Sequence, residues 1–274
     1  MKKTLALIMA LVMMLSFAAC GNKAETPAPA DETSYANLDI ALELTSEEYG
    51  IGFRKGSDLT AKVNALMDEL KADGTLDALA EKYNLALAEA ETPEATEVTV
   101  NDIEYITNNG KMVIGITDYE PMNYKDSNGA WTGFDTEFAE AVCKKLGVTA
   151  EFVEIEWDNK FMALESKAID CIWNGMTISE EVLKNTSCSK AYVKNAQVVV
   201  MAKDKIAEYK DAASMKDLTF AVESGSAGAT AAKENGFDNI LEAGTQTDAL
   251  LEVQSGACDA CIIDLTMAKA MLKK

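Results

Sequence analysis

The residues with the most chemical promise in this chain are one tryptophan, one serine and two carboxylates, each at the edge of a predicted element. Trp157 sits in EIEWDN, where the polar neighbours Glu156, Asp158 and Asn159 suggest a loop. An indole face there attracts a cation by about 0.5–2 kcal/mol; the alternative is a core tryptophan. Ser226, in ESGSAG, opens a helical stretch whose unpaired N–H groups suit an anion. Asp264 ends the strand-like run CIID, a place where an aspartate is often only a helix N-cap. Glu223, in FAVESG, would serve as an acid if burial raised its pKa. No nucleophile–base pair accompanies it. The 274 residues include no histidine, so imidazole bases, His metal sites and Ser-His-Asp triads are all excluded.

Cys143, Cys171, Cys188, Cys258 and Cys261 follow Cys20. Cys258 and Cys261 have the CxxC spacing, but no second CxxC and no histidine complete a zinc site, so no metal or cofactor is expected. Cys143 falls on an apolar helix face and reads as core. Five thiols are odd in number, and Cys171 with Cys188 is the expected disulfide if one forms. A formal net charge of −20 argues against nucleic acid and against anionic lipid head groups.

Lys2 and Lys3 precede an uncharged run, residues 5–19, that is too short for a confident membrane span and fits a secretory leader. The run ends Phe17-Ala18-Ala19-Cys20, which resembles a bacterial lipobox with Phe17 where leucine is usual. Residues 1–19 then form a lipoprotein signal peptide and Cys20 carries the lipid; the alternative is ordinary cleavage after an Ala-x-Ala-like site. Residues 20–34 are polar and rich in Pro and Ala, which predicts a flexible tether. The acidic, Pro-containing residues 88–97 read as a second linker.

The elements that must position the candidate residues follow from periodicity. Residues 49–55 predict a strand, and Leu59, Val63, Leu66, Met67 and Leu70 mark one face of a helix with Ser57 as N-cap. A short helix running to Tyr83 comes next. Strands are expected at 113–116, 152–155, 169–173, 195–202, 218–222 and 261–263. Helices are expected at 134–146, 160–165, 226–234, 247–254 and 265–272. Alternating strands and helices argue for an α/β fold with mainly parallel sheets, whose ligands sit beyond the carboxyl ends of strands.

VIGITDYEPMNY, GFDTEFAEAV, SKAIDCIWNGMTISEE, FAVESGSAGA, SGACDACIID and YGIGFRKGSDL…ELKADGTLDALAEKY together resemble the polar-amino-acid solute-binding proteins (family 3) of bacterial ABC importers. The resemblance covers nearly all of residues 35–274. It implies a two-lobed, periplasmic-binding-protein-like fold of type II with the ligand in the cleft. One block is out of order. In that family YGIGFRKGSDL…KY closes the chain, whereas here it occupies residues 49–83, ahead of the block that normally opens it. The chain therefore looks circularly permuted, its old ends joined through residues 84–110; a duplicated fragment is the alternative. Lobe 1 would be residues 49–195, and lobe 2 residues 35–48 with 196–274.

By the same resemblance, Tyr119 is the pocket aromatic after the first strand and Trp157 stacks on the ligand. Asn174, Gly175 and Thr177 form a polar turn against the ligand, Ser226 meets an anion, and Asp264 holds an α-ammonium. Asp118 is a further contact. Val182 stands where the family places an arginine that grips the α-carboxylate, a group valine cannot replace. Glu223 falls at a pocket-lining position. Trp157, Glu223 and Asp264 without the arginine describe a cleft that favours a cation. The expected solute carries an amine and no free α-carboxylate, or has its carboxylate met by Lys190, Lys194 or the Ser226 helix end. The implied function is a monomeric, lipid-anchored binding protein on the outer face of the membrane. It would deliver a small polar amino acid or related amine to an ABC permease by cleft closure and would not be an enzyme. A dehydratase-like enzyme on the same fold and a ligand sensor for a membrane receptor are the alternatives.

Overall fold

A computed structural model describes residues 34–89 and 97–273, so the expected leader, Cys20 and nearly all of the tether, and most of the second linker, lie outside the described residues. Chain order begins β1 (Leu38–Glu43), β2 (Glu47–Phe53), α1 (Leu59–Ala72), α2 (Thr75–Tyr83), α3 (Asp102–Asn109) and β3 (Lys111–Ile116). A small hairpin, β4 (Tyr124–Lys125) and β5 (Trp131–Thr132), leads to α4 (Phe134–Leu146), β6 (Thr149–Glu154), α5 (Lys160–Glu165) and β7 (Cys171–Thr177). Next are α6 (Glu180–Asn185), β8 (Ser187–Cys188), β9 (Val193–Asn195) and β10 (Gln197–Ala202). The chain then runs through β11 (Phe220–Glu223), α7 (Ala227–Glu234), β12 (Ile240–Ala243), α8 (Gln246–Gln254), β13 (Ala260–Asp264) and α9 (Leu265–Met271).

These strands build two main sheets. One has the order β6-β3-β7-β2-β8, with β9 also pairing β2; the other has the order β1-β10-β13-β11-β12. Both are mixed rather than mainly parallel. In each, a parallel core (β6-β3-β7 and β13-β11-β12) is extended by antiparallel strands from distant parts of the chain. Much of this comes from β1 and β2, and in the second sheet β10 itself runs antiparallel to β13. The early strand β2 enters between β7 and β8 and runs antiparallel to both, and β1 closes the edge of the second sheet against β10. Residues 38–83 are thus integral to the fold, and α1 buries the predicted stripe Leu59, Val63, Leu66, Met67 and Leu70. Burying side chains of that size stabilises by roughly 1.5–3 kcal/mol each.

Several expectations need correction. Ser57 does not cap α1; Asp58 holds that position without a side-chain cap bond. Helix α3 lies in the stretch read as a joint, where Ile106 supplies its buried face and Gly110 its left-handed end. Asn174, Gly175 and Thr177 are not in a turn, because β7 runs through Thr177. All five cysteines from Cys143 to Cys261 are free and buried. Cys171 faces Phe53 across one edge of β2, while Cys188 faces Gly52 across the other. Two strand spacings, about 9.5 Å, separate flanking strands, beyond the reach of a disulfide.

The two sheets are joined by two adjacent crossings. Only three residues separate β1 from β2, and Ala196 alone separates β9 from β10. The crossings are tied to each other: Glu47 pairs with Asn195, Glu43 with Val198, and Leu44 N donates to the Gln197 carbonyl at 2.8 Å.

Candidate functional site

A cavity of about 200 Å³ opens between the two sheets. Its walls are the carboxyl ends of the parallel strands, as the geometry of such sheets requires. Tyr119 follows β3, Trp157 follows β6, and Asn174, Gly175 and Thr177 end β7. From the other sheet come Glu223 at the end of β11, Ser226 before α7, and Asp264 at the end of β13. Eight of the nine predicted ligand residues therefore share one cavity. Asp118 is the exception: it is exposed and does not line the cavity.

Asp264 is 3% exposed and occupies the N-cap position of α9, yet its side chain makes no cap bond. Its carboxylate instead accepts the amides of Asn195, Gln197 and Gln246. Gln197 donates to Asp264 Oδ1 at 2.6 Å and to Glu47 Oε1 at 2.8 Å. Asn195 likewise bonds both carboxylates, reaching Glu47 Oε1 at 2.7 Å, and Thr177 Oγ1 donates to the same Glu47 oxygen at 2.8 Å. Two carboxylates bridged by two carboxamides thus sit where the crossings meet. Burial first, and then the charge of Glu47, push the Asp264 pKa up to about 7, against the pull of the three amides.

Glu223 is as deeply buried, 3% exposed, and differs in one respect: its Oε1 has no hydrogen-bond partner among the described residues. Burial, the neighbouring charge of Asp264 and, with the opposite sign, the ammonium of Lys160 leave its pKa at about 8.

The other predicted residues contribute shape more than free polar atoms. The Asn174 amide is engaged with Thr117, accepting from Thr117 Oγ1 at 2.7 Å and from Thr117 N at 3.0 Å. Ser226 Oγ accepts from Ala229 N at 3.1 Å and so caps α7. Gly175 adopts φ +55°, and a Cβ there would lie 2.6 Å from the Tyr119 ring. Only glycine accepts both constraints without strain. The Tyr119 hydroxyl lies 2.5 Å from that of Tyr49, and both contact Thr266 Oγ1 of α9, at 2.5 and 2.9 Å. This hydroxyl trio joins the first sheet to the second.

A second bridge spans the cavity mouth. Lys160, 5% exposed at the start of α5, donates to the Gly225 carbonyl at 2.8 Å and to the Trp157 carbonyl at 3.3 Å. Its ammonium lies 5.1 Å from the Trp157 ring centre. A Cβ on Gly225 would meet Asp158 Oδ1 at 2.6 Å, so the two sides are in contact. Lys190 and Lys194 do not reach the cavity: Lys190 pairs with Asp68, and Lys194 is exposed. Val182 lines the wall and packs in an apolar cluster with Trp157, Leu164 and Met176. Sequence reasoning missed Glu47, Lys160 and Gln246. Glu47 and Gln246 gain their place only through tertiary pairing, and nothing in NKFMAL marks Lys160. Among the described residues no group of three or more Cys, Asp or Glu is arranged to hold a metal, and no helix is long and apolar enough to cross a membrane.

A cleft between two mixed sheets joined by paired crossings, with contacts closing over a buried polar cavity, defines a two-lobed binding-protein fold. The chain matches the model for bacterial extracellular solute-binding proteins, family 3, over residues 112–251 and belongs to that family. It is 31% identical over 172 residues to the arginine-binding extracellular protein ArtP of Bacillus subtilis, a match covering 60% of this chain and 64% of that protein. It is 28% identical to the L-cystine-binding protein TcyJ of Escherichia coli K12, covering 60% and 63%. The matches to these curated relatives thus span just under two thirds of their length. Among solved structures, the ancestral amino acid-binding protein AncCDT-1, a precursor of cyclohexadienyl dehydratase, superposes with a TM-score of 0.61 at 33% identity, covering 63% of this chain and 78% of that one. The arginine-bound form of truncated ArgBP from T. maritima gives 0.59 at 31%, covering 62% and 81%.

Proposed function

We propose that the protein is the solute-binding component of an ABC importer, which closes over a small polar amino acid or related amine and presents it to a membrane permease. The observation that carries this reading is the cavity enclosed between the two sheets, bridged by Lys160 to Gly225 on one side and by Tyr49 and Tyr119 to Thr266 on the other. A buried site that opens only when two bodies part is suited to capture and release, because ligand contacts made in the closed form alone shift the population toward it. The protein acts as a monomer, held outside the cytoplasm by lipid on Cys20 and the polar residues that follow. Lobe 1 is residues 49–195, lobe 2 residues 35–48 and 196–274, and bending occurs at the crossings near residues 46 and 196. We further propose that this order arose by circular permutation. The reading is supported by β2, which lies inside a sheet otherwise built from residues 111–195, and chain rearrangement of this kind is tolerated where old ends meet at the surface.

The same pocket chemistry fits a sensor, in which the closed form engages a receptor instead of a permease. The similarity to AncCDT-1, together with the buried acid Glu223, favours a dehydratase-like enzyme as a second reading.

The test is mass spectrometry of small molecules that copurify with the protein, followed by solution scattering with and without each one. Binding of a retained solute is expected to reduce the radius of gyration and to return the solute unchanged. Identical scattering profiles with every retained solute would refute cleft closure, and chemical conversion of a bound solute would establish the enzyme.

A further inference from the structure

The solute-binding reading fixes the place where a guest sits, and the inference here rests on it. The lining of the cavity fixes the guest's charge. Among the described residues, Glu47, Glu181, Glu223, Glu234 and Asp264 line the space, against Lys160 alone. That ammonium is already bonded to two carbonyls, Gly225 O and Trp157 O. The Ser226 oxygen accepts from Ala229 N, which leaves its hydroxyl proton as one neutral donor, and the facing wall is the apolar side of Val182. A solute carboxylate would enter a chamber in which, among the described lining residues, acids outnumber the single ammonium, two of whose three N–H donors are already used.

The acids are not equivalent. Glu47 and Asp264 share the amides of Asn195 and Gln197, and Gln246 completes Asp264. Glu223 has less support, with Gln246 alone contributing a side-chain hydrogen bond to its carboxylate. Its Oε1 is buried without a partner at the end of β11, on the cavity wall. A buried acceptor left open is unfavourable, more so when charged, so its persistence at a binding surface points to a donor supplied from outside. The charged groups around it are Asp264 on β13, Asp248 on α8, Glu234 on α7 and Lys160 on α5. Glu242, on the adjacent β12, is exposed and accepts from Ser224 Oγ. This field is acidic on balance and favours a donor that is itself positive.

We propose that Glu223 is the specificity-determining residue of the cavity, that it receives an N–H of a protonated amine or guanidinium, and that the solutes are organic cations lacking a carboxylate. Glu223 Oε1 accepts the charged hydrogen bond, the Glu47–Asp264 pair deepens the negative potential, and the Val182 and Trp157 wall covers the apolar part of the guest. Amino acids carrying the same cationic head bind less tightly, because their carboxylate faces the acidic lining.

Calorimetric titration of the full chain with agmatine, L-arginine, L-glutamine and L-glutamate tests this. Agmatine and arginine share the guanidinium and differ in the carboxylate. Agmatine is expected to bind at least tenfold tighter than arginine, and both tighter than glutamine or glutamate. At pH 8.5, where Glu223 is mostly ionised, Glu223→Gln keeps the shape and removes the charge; a charge-assisted hydrogen bond of about 1.5–3 kcal/mol converts to a loss of roughly 10- to 150-fold for agmatine. The exposed Glu242→Gln is expected to change affinity less than twofold. A second readout separates charge selection from a purely structural role. Agmatine affinity in the wild type should fall as pH is lowered from 8.5 to 6, as Glu223 and then Asp264 take up protons, and the part of the slope above about pH 7 should flatten in Glu223→Gln. The proposal is overturned if arginine or glutamine binds tighter than agmatine, if neither cation binds at millimolar concentration, or if Glu223→Gln leaves affinity and pH slope unchanged. A copurifying neutral solute that closes the cleft would overturn this inference alone and leave the solute-binding reading standing; failure of that reading is registered by the scattering experiment.

Discussion

Arg54, the residue immediately after β2, is the place to test how firmly the early segment is built into its sheet. Its guanidinium is 7% exposed. Nε bonds Asp102 at 3.0 and 3.1 Å, Nη2 bonds Asp102 at 2.8 Å and Asp170 at 3.0 Å, and Nη1 donates to the Ile169 carbonyl at 2.7 Å. Asp102 and Asp170 are 0% and 2% exposed. Substitution Arg54→Met therefore leaves two buried carboxylates without their cation. Removing one partner of a buried ion pair costs about 3–5 kcal/mol. At about 2–4 °C per kcal/mol for a body of this size, the melting temperature should fall by roughly 6–20 °C. Lys145→Met, which removes an exposed pair with Glu69 and Asp73, should cost less than about 1 kcal/mol. Arg54→Met combined with Asp102→Asn and Asp170→Asn should recover most of the loss, since no unpaired charge then remains. Thermal melts followed by circular dichroism measure all three. A shift below 2 °C for Arg54→Met, or no recovery in the triple variant, would refute the view that this network fastens residues 47–83 to α3 and β7.

Three further outcomes are expected. Burial raises the Asp135 pKa to about 7, so its ionisation opposes folding increasingly as pH climbs from about 4 to 7. Asp135→Asn should therefore gain on the wild type between pH 5 and pH 8, by up to about 1.4 kcal/mol per unit, in urea denaturation; a pH-independent difference would contradict this. Gly175→Ala should lower stability by about 1–3 kcal/mol through its left-handed backbone and displace Tyr119, lowering solute affinity in the same titrations; unchanged affinity would count against a rigid pocket floor. Ellman's reagent should find almost no reactive thiol in the native protein and five after denaturation, excluding Cys20, because burial holds these thiols in their neutral form. A count of three would restore a disulfide.

Local signals were legible where one element's own periodicity decides its place. The stripe from Leu59 to Leu70 and the helix Phe134–Leu146 with Gly147 at its end appear as expected. Trp157, Glu223 and Asp264 line one cavity. What could not be read is set by pairing between distant segments. The sequence gives no sign that β2 would separate Cys171 from Cys188, nor that Asn195 and Gln197, two residues apart on a crossing, would each hold both Glu47 and Asp264. The identity of the cavity's lysine was misjudged for the same reason: Lys190 and Lys194 are close in sequence to the crossing, while Lys160 reaches the mouth only because α5 meets the Gly225 loop.

The carboxylate–carboxamide knot has a mechanical corollary. Asn195 and Gln197 flank the single residue at which one crossing changes sheet, and Glu47 begins the strand at which the other arrives. If the lobes bend at these crossings as proposed, flexure and the recognition of a charged guest would share the same few atoms. A neutralising substitution at Glu47 would alter the stiffness of the joint as well as the potential felt by a guest, so its effects on rate and on affinity would arrive together, from a spot that behaves as spring and as electrode at once.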